Sequence, residues 1–163
     1  MKNLLLSLLL FTGLITACAK PELKPNIHGF KCYVNGTLWE PSKQGDMFAD
    51  IVRAKLSDSV FGISADNSPE RLHLNVRNPH GIVEGEYFIS GSESRTNFAI
   101  YDDNLSIDRY ITDTHHTGTL VITKIDRSSR IISGTFEFEA WNETRQKVVR
   151  VSKGEFHGEY EPI

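Results

Sequence analysis

From Phe30 onward the chain alternates apolar and polar residues with a period of two, the pattern of strands that bury one face. Phe30, Cys32 and Val34 share one side. Asn35-Gly36 then supplies the two positive-φ positions of a tight hairpin turn, and Thr37-Leu38-Trp39 runs back as far as Pro41. Residues 42–47 are turn-like or form one short helical turn. Val52, Ala54 and Leu56 alternate with Arg53 and Lys55, Phe61, Ile63 and Ala65 form the next run, and Asp66-Asn67-Ser68-Pro69 is a turn cluster. Leu72, Leu74 and Val76 alternate with Arg71, His73, Asn75 and Arg77, the cleanest half-buried strand in the chain, which Asn78-Pro79-His80-Gly81 stops. Residues 85–90 and 96–101 predict two strands around a turn at Gly91 and Ser92. Residues 102–104 break the pattern, 106–111 predict a short strand, and 112–118 a polar loop.

The C-terminal part reads as a meander. Residues 119–125 are rich in β-branched side chains, and 126–129 turn. In 130–141, Phe136, Phe138 and Ala140 oppose Glu137 and Glu139. After a turn at 142–146, residues 148–152 and 154–160 run back, with Phe156 and Tyr160 inward and Glu155, His157 and Glu159 outward. Roughly nine or ten short strands at this spacing predict an all-β domain, either an antiparallel β-sandwich or an up-and-down β-barrel-like meander. No connection is long enough for a helical crossover, so most consecutive strands are expected to pair as hairpins. The length, 163 residues, suits one domain, expected over residues 30–163.

The N-terminus departs from this pattern. Met1-Lys2-Asn3 is a short cationic start, residues 4–14 are almost wholly apolar, and Leu14-Ile15-Thr16-Ala17-Cys18 follows. The run is shorter than the ~20 residues of a membrane span, so residues 1–17 read as a signal peptide with a small residue before the cut. The last five resemble a bacterial lipobox, which implies cleavage before Cys18 and a diacylglycerol thioether on its sulfur. Each buried methylene contributes about 0.8 kcal/mol, so two or three acyl chains make attachment effectively permanent. Residues 18–29, with Pro21 and Pro25 and no apolar period, read as the lipidated cysteine and an extended tether. With Cys18 acylated, Cys32 has no partner in the chain. It is expected to be a buried small apolar residue, and no disulfide is expected.

Charged residues make up 24% of the chain and hydrophobic ones 39%, as in a globular fold. The formal net charge is −3 and there is no basic stripe, which argues against a nucleic-acid partner.

Several stretches carry a family resemblance: Cys32-Tyr33-Val34-Asn35-Gly36 through Trp39, Gly118-Thr119-Leu120-Val121-Ile122-Thr123-Lys124-Ile125-Asp126, Ile132-Ser133-Gly134-Thr135-Phe136-Glu137-Phe138, and Val151-Ser152-Lys153-Gly154-Glu155-Phe156. Together they resemble a family of uncharacterised Bacteroidota lipoproteins classed as a domain of unknown function. The motifs are structural: hairpin turns, glycines and core aromatics. The resemblance implies a β-rich lipoprotein of a Gram-negative envelope and brings no catalytic residues with it. Surface-exposed lipoproteins of that group often carry an acidic run after the cysteine. Ala19-Lys20-Pro21-Glu22-Leu23-Lys24 lacks one, so the periplasmic face of the outer membrane is expected.

Candidate chemistry is sparse. His115 and His116 with Asp113 hold zinc-type ligands, but their spacing aims no two rings at one ion, and a solvated loop is expected. Asp102, Asp103, Asn104 and Asp108 offer oxygens to calcium without EF-hand spacing, and a capped turn is expected. Glu137 and Glu139 stand about 7 Å apart along one strand face, a separation that glycosidase chemistry can use. Glu155, His157 and Glu159 repeat that pattern, so both read as solvated faces. Trp39 and Trp141 are expected to pack rather than stack on a sugar. Asp58-Ser59-Val60 resembles the short Bacteroidota O-glycosylation motif. No Gly-x-Ser-x-Gly elbow, phosphate loop or dinucleotide fingerprint occurs, and no cofactor or metal is expected. The expected function is a non-enzymatic binding or accessory module, tethered by lipid, with an envelope protein or glycan as partner. A small-ligand carrier with a barrel cavity is the alternative, and a glycan-acting enzyme the third reading.

Overall fold

The computed structural model describes residues 27–42, 52–91 and 96–163. The leader, Cys18, most of the tether, residues 43–51 and Ser92 lie outside the described residues. The described chain is all-β, with twelve strands: β1 (Ile27–Val34), β2 (Thr37–Trp39), β3 (Val52–Leu56), β4 (Val60–Asn67), β5 (Glu70–Arg77), β6 (Gly85–Ile89), β7 (Phe98–Asp103), β8 (Asp108–Ile111), β9 (Gly118–Asp126), β10 (Ile131–Asn142), β11 (Lys147–Glu159) and β12 (Glu161–Pro162). β1 begins ahead of Phe30, because Ile27 already pairs with Gly158 of β11.

The strands form one open sheet in the order β12-β3-β4-β5-β7-β8-β10-β11-β1-β2, with β9 beside β10 and β6 beside β9. Two strands therefore share one edge of β10. β9 covers Ile131 to Phe138, and β8 meets it only at Trp141. The sheet folds over at this point and becomes sandwich-like. The inward rings of Phe61 on β4 and Phe156 on β11 stack with centroids 5.6 Å apart. The sheet does not close into a barrel, and it is mixed rather than wholly antiparallel, since β12 runs parallel to β3.

The core follows the alternation. Phe61, Ile63, Ala65, Leu72, Leu74 and Val76 are fully buried between the halves, together with Leu120, Ile122, Ile132 and Ala140. Among the described residues, large apolar side chains fill the interior and the sheet encloses no barrel cavity of the kind a ligand carrier needs. Asn35 and Gly36 take φ of 50° and 83° and make the tight β1–β2 turn their sequence specifies. Along β11 an extra residue at Ser152-Lys153 breaks register with both neighbours, and Lys153 takes φ 50°. This bulge resets the alternation, so Val149 and Val151 before it and Phe156 and Tyr160 after it all reach the core.

Several consecutive strands do not pair. β6 leaves the turn after Ile82 to join β9, and β7 returns to the other half beside β5. Alternation assigns a face to each residue but does not name the neighbouring strand.

Candidate functional site

The outer face of β3-β4-β5-β7-β8 is polar and concave. Three cross-strand rungs build it. Arg53, Ser64, His73 and Ile100 stand side by side in the first, and Lys55, Gly62, Asn75 and Phe98 in the second. In the third, Asp66, Arg71, Asp102 and Arg109 alternate in charge across four strands. Opposite charges directly across a sheet attract, and here they bond. Arg71 Nε donates to Asp66 at 2.5 Å, and Arg109 reaches both oxygens of Asp102 at 2.8 and 3.1 Å. That fork raises the Arg109 pKa. The resulting groove has a volume of about 500 Å³, with Val60, Ile100 and Ile163 as its apolar walls.

His73 is the central aromatic group. Its Nδ1 lies 2.7 Å from Ser64 Oγ, and the buried Phe98 ring packs against it with centroids 5.5 Å apart. Burial pushes the His73 pKa down, and Arg71 and Arg109 add to that, while Asp102 opposes it. A serine beside a histidine invites a nucleophile reading. The same cross-strand pair recurs on the other half of the fold, where Ser133 Oγ lies 2.7 Å from His157 Nδ1 on an exposed face. The repeat marks the pair as cross-strand hydrogen bonding. In the neighbouring rung Asn75 Oδ1 is buried without a hydrogen-bond partner, directly across from the side-chain-free Gly62.

The clusters read from local sequence resolve into turn architecture. Asp113 accepts from the backbone N–H groups of His115 and His116, both at 2.7 Å, and contacts His116 Nδ1 at 3.1 Å. Burial opposes ionisation of Asp113, but those bonds outweigh it and hold its pKa below the ordinary value. The His116 ring lies flat on Trp141, with centroids 5.2 Å apart and planes within 3°. Asp103 caps the β7–β8 turn through Leu105 N and Ser106 Oγ, while Asp102 and Asp108 are taken by Arg109 and Arg145. Among the described residues no group of three or more His, Cys, Asp or Glu side chains is placed to hold a metal ion.

Glu137 and Glu139 both face outward into a shallow groove with Phe88 and Thr119, and Glu139 accepts from Arg150 Nε at 2.7 Å. Glu155 pairs with Lys31 at 2.8 Å. Glu159 is exposed. Trp39 is buried and donates Nε1–H to Glu70. Asp58 and Ser59 are exposed in the β3–β4 turn, where their carbonyls accept from Ile82 and Asn78. Cys32 is a buried free thiol. Burial and, behind it, the Glu70 carboxylate push its pKa up to about 12.

Beyond the geometry, comparison places the domain in a family. A model of a domain of unknown function, DUF6252, matches residues 29–158. The chain belongs to the DUF6252 family. No curated protein and no solved structure matches it. The matched span runs from Gly29 in β1 to Gly158 near the end of β11, so a DUF6252 domain includes every rung of the polar face described above. Sequence reasoning placed Arg71, His73 and Asn75 outward but gave them no role. The available signal was Gly62, a residue without a side chain in the middle of a polar strand face, which often marks a close approach or a ligand.

Proposed function

We propose that this DUF6252 protein is a lipid-anchored module of the bacterial cell envelope that binds a ligand or partner on the outer face of β3-β4-β5-β7-β8 and performs no chemistry on it. The observation that carries the reading is the state of that face. Its carboxylates are held by arginines in fixed rungs, while the buried Oδ1 of one amide, Asn75, stands without a hydrogen-bond partner across from Gly62. Paired charges on neighbouring strands make a rigid recognition surface. They leave the carboxylates Asp66 and Asp102 of that face bound to arginines rather than free to orient the Ser64–His73 pair as nucleophile and base.

The anchor rests on residues 4–14 and the Leu14-Ile15-Thr16-Ala17-Cys18 ending, which resemble a lipoprotein leader. Eight residues lie between Cys18 and the start of β1 at Ile27, so the tether reaches at most about 30 Å. The missing acidic run after Cys18 favours the periplasmic face of the outer membrane in a Gram-negative host.

Two measurements test this. Cells fed a radioactive fatty acid should label the wild-type chain, and Cys18→Ser should lose both the label and retention in the envelope fraction. A photo-crosslinking residue at Ser64 should give adducts in intact envelopes, and one at Thr135 on the opposite half should not. Equal labelling of Cys18→Ser would end the anchor assignment, and adducts from Thr135 alone would move the binding surface.

A further inference from the structure

The most exposed large apolar side chains among the described residues stand together on one turn. Leu105 is 81% and Ile107 90% exposed, both in the four-residue loop between Asp103 and Asp108. A lone apolar side chain at a surface is ordinary, but two at one tip form a patch. Ile107 also holds a left-handed conformation, φ 57°, that a β-branched residue avoids. Nothing inside the fold offsets either cost, and strain kept at an exposed position points to a role outside it.

The tip is braced at its base. Asp103 accepts from Leu105 N at 3.0 Å and from Ser106 Oγ at 2.8 Å, and Asn104 donates from both its nitrogens to the Pro69 carbonyl, at 3.1 and 2.7 Å. Asp108 is gripped by Arg145, and Asp102 by Arg109. Every charged residue of the β7–β8 hairpin is thus engaged, and the turn beyond them presents two apolar side chains held in place.

The tip also lies at the end of the fold away from the tether. The chain enters at Ile27, opposite Gly158 and so beside the Ile131 end of β10. The hairpin is tied to the other end, through Ile111 opposite Trp141 and Asp108 on Arg145. The 12 residues of β10 separate these ends by roughly 35 Å. On a tether that reaches at most about 30 Å, a domain that leans over brings this tip down to the bilayer.

We infer that Leu105 and Ile107 insert into the lipid bilayer that holds the anchor and give the domain a second point of attachment. The inference rests on the reading of the chain as lipid-anchored. Area decides between a bilayer and a protein. A stable protein interface takes about 800 Å² from each partner, far more than two side chains supply, and the paired charges beside them leave little to orient a partner. A tethered tip needs much less affinity, because the anchor keeps it at high local concentration over the membrane. Its side chains leave water for hydrocarbon without taking an unpaired charge along.

The test is paramagnetic relaxation measured by NMR. The isotopically labelled mature chain is coupled through Cys18 to a maleimide lipid in phosphatidylethanolamine–phosphatidylglycerol nanodiscs, and the buried Cys32 does not compete. This supplies the anchor whether or not cells add one, so a failure of fatty-acid labelling would end the anchor assignment and leave this readout unaffected. A doxyl group in the acyl chains should relax the amides of Leu105, Ser106 and Ile107 at least fivefold more than those of residues 127–129, in the turn at the tether end. A water-soluble gadolinium chelate should show the reverse order. Leu105→Ser combined with Ile107→Asn, both exposed changes, should cut the doxyl effect at the tip at least fivefold with the core resonances in place. Doxyl relaxation no greater at the tip than at residues 127–129, or an effect that survives the double variant, would overturn the inference. So would a tip that the chelate reaches as freely as in lipid-free protein.

Discussion

Gly134 stands directly opposite Phe156 across β10 and β11, and the ring of Phe156 occupies the space a side chain at 134 would need. Two residues along β10 the roles are exchanged, with Phe136 opposite Gly154 and its ring over that glycine. The two rings lie 6.5 Å apart and continue to Phe30 on one side and Phe61 on the other. An aromatic ring laid across a facing glycine covers the exposed backbone of its strand and fixes register.

The swapped pairs predict unequal costs for adding one methyl. At Gly154 the atoms nearest a Cβ are ring carbons of Phe136, which can shift. At Gly134 it meets the Phe156 ring and the backbone carbonyl of Val121, which cannot. Overpacking costs typically about 1–3 kcal/mol. Gly134→Ala should fall at the upper end and Gly154→Ala at the lower, read from urea midpoints with unchanged slope.

Glu70 ties the two halves of the fold together. One carboxylate oxygen accepts from Trp39 Nε1 and the other from the Tyr101 hydroxyl, each at 2.6 Å. Burial, and then the bond to Glu70, keeps the Tyr101 phenol protonated well above its ordinary value. Removing the carboxylate strands two part-buried donors, at about 1–3 kcal/mol each. Glu70→Ala should therefore destabilise strongly, and Glu70→Gln, which retains one acceptor, by about half as much. A denaturation series in which the two variants match would refute this assignment of the two bonds.

How legible this was from sequence depends on the range of the interaction. Leu72, Leu74 and Val76 announced a buried strand face, and Asn35-Gly36 announced a turn, because both signals are local. The pairing of β6 with β9, and the bulge that joins 148–152 and 154–160 into one β11, are set by tertiary packing that alternation does not encode. The same limit hid the groove. Arg71, His73 and Asn75 look like any solvated face until register sets them beside Asp66, Ser64 and Gly62. Conversely, Asp113 and His116 are close in sequence and drew attention, yet their proximity serves a turn.

Three hairpin turns end on a left-handed residue that is not glycine: Ile107, Arg130 and Gln146, at φ 57°, 56° and 52°. Ile107 is the least suited, since a β-branched side chain crowds the backbone there. It is also 90% exposed, so no burial offsets the strain. Ile107→Asn should stabilise the domain by about 0.5–1 kcal/mol, because asparagine tolerates this conformation. A lower thermal midpoint in the variant would mean that the isoleucine contributes something the turn geometry does not reveal.

His73 sets the direction of the acid response. Its pKa in the fold lies below the ordinary 6.5, chiefly because of burial beside Phe98 and Ser64. Between those two values the unfolded chain binds more protons than the folded one, so stability rises with pH across the interval. The contribution is complete above 6.5 and is lost as pH falls from there through the lowered value. His73→Gln keeps a polar partner for Ser64 and cannot titrate. Its stability should track the wild type above neutrality with a constant offset and decline less steeply on acidification. If the two chains lose stability in parallel below 6.5, the acid sensitivity of this domain comes from another group, and His73 titrates in the fold as it does in the open chain.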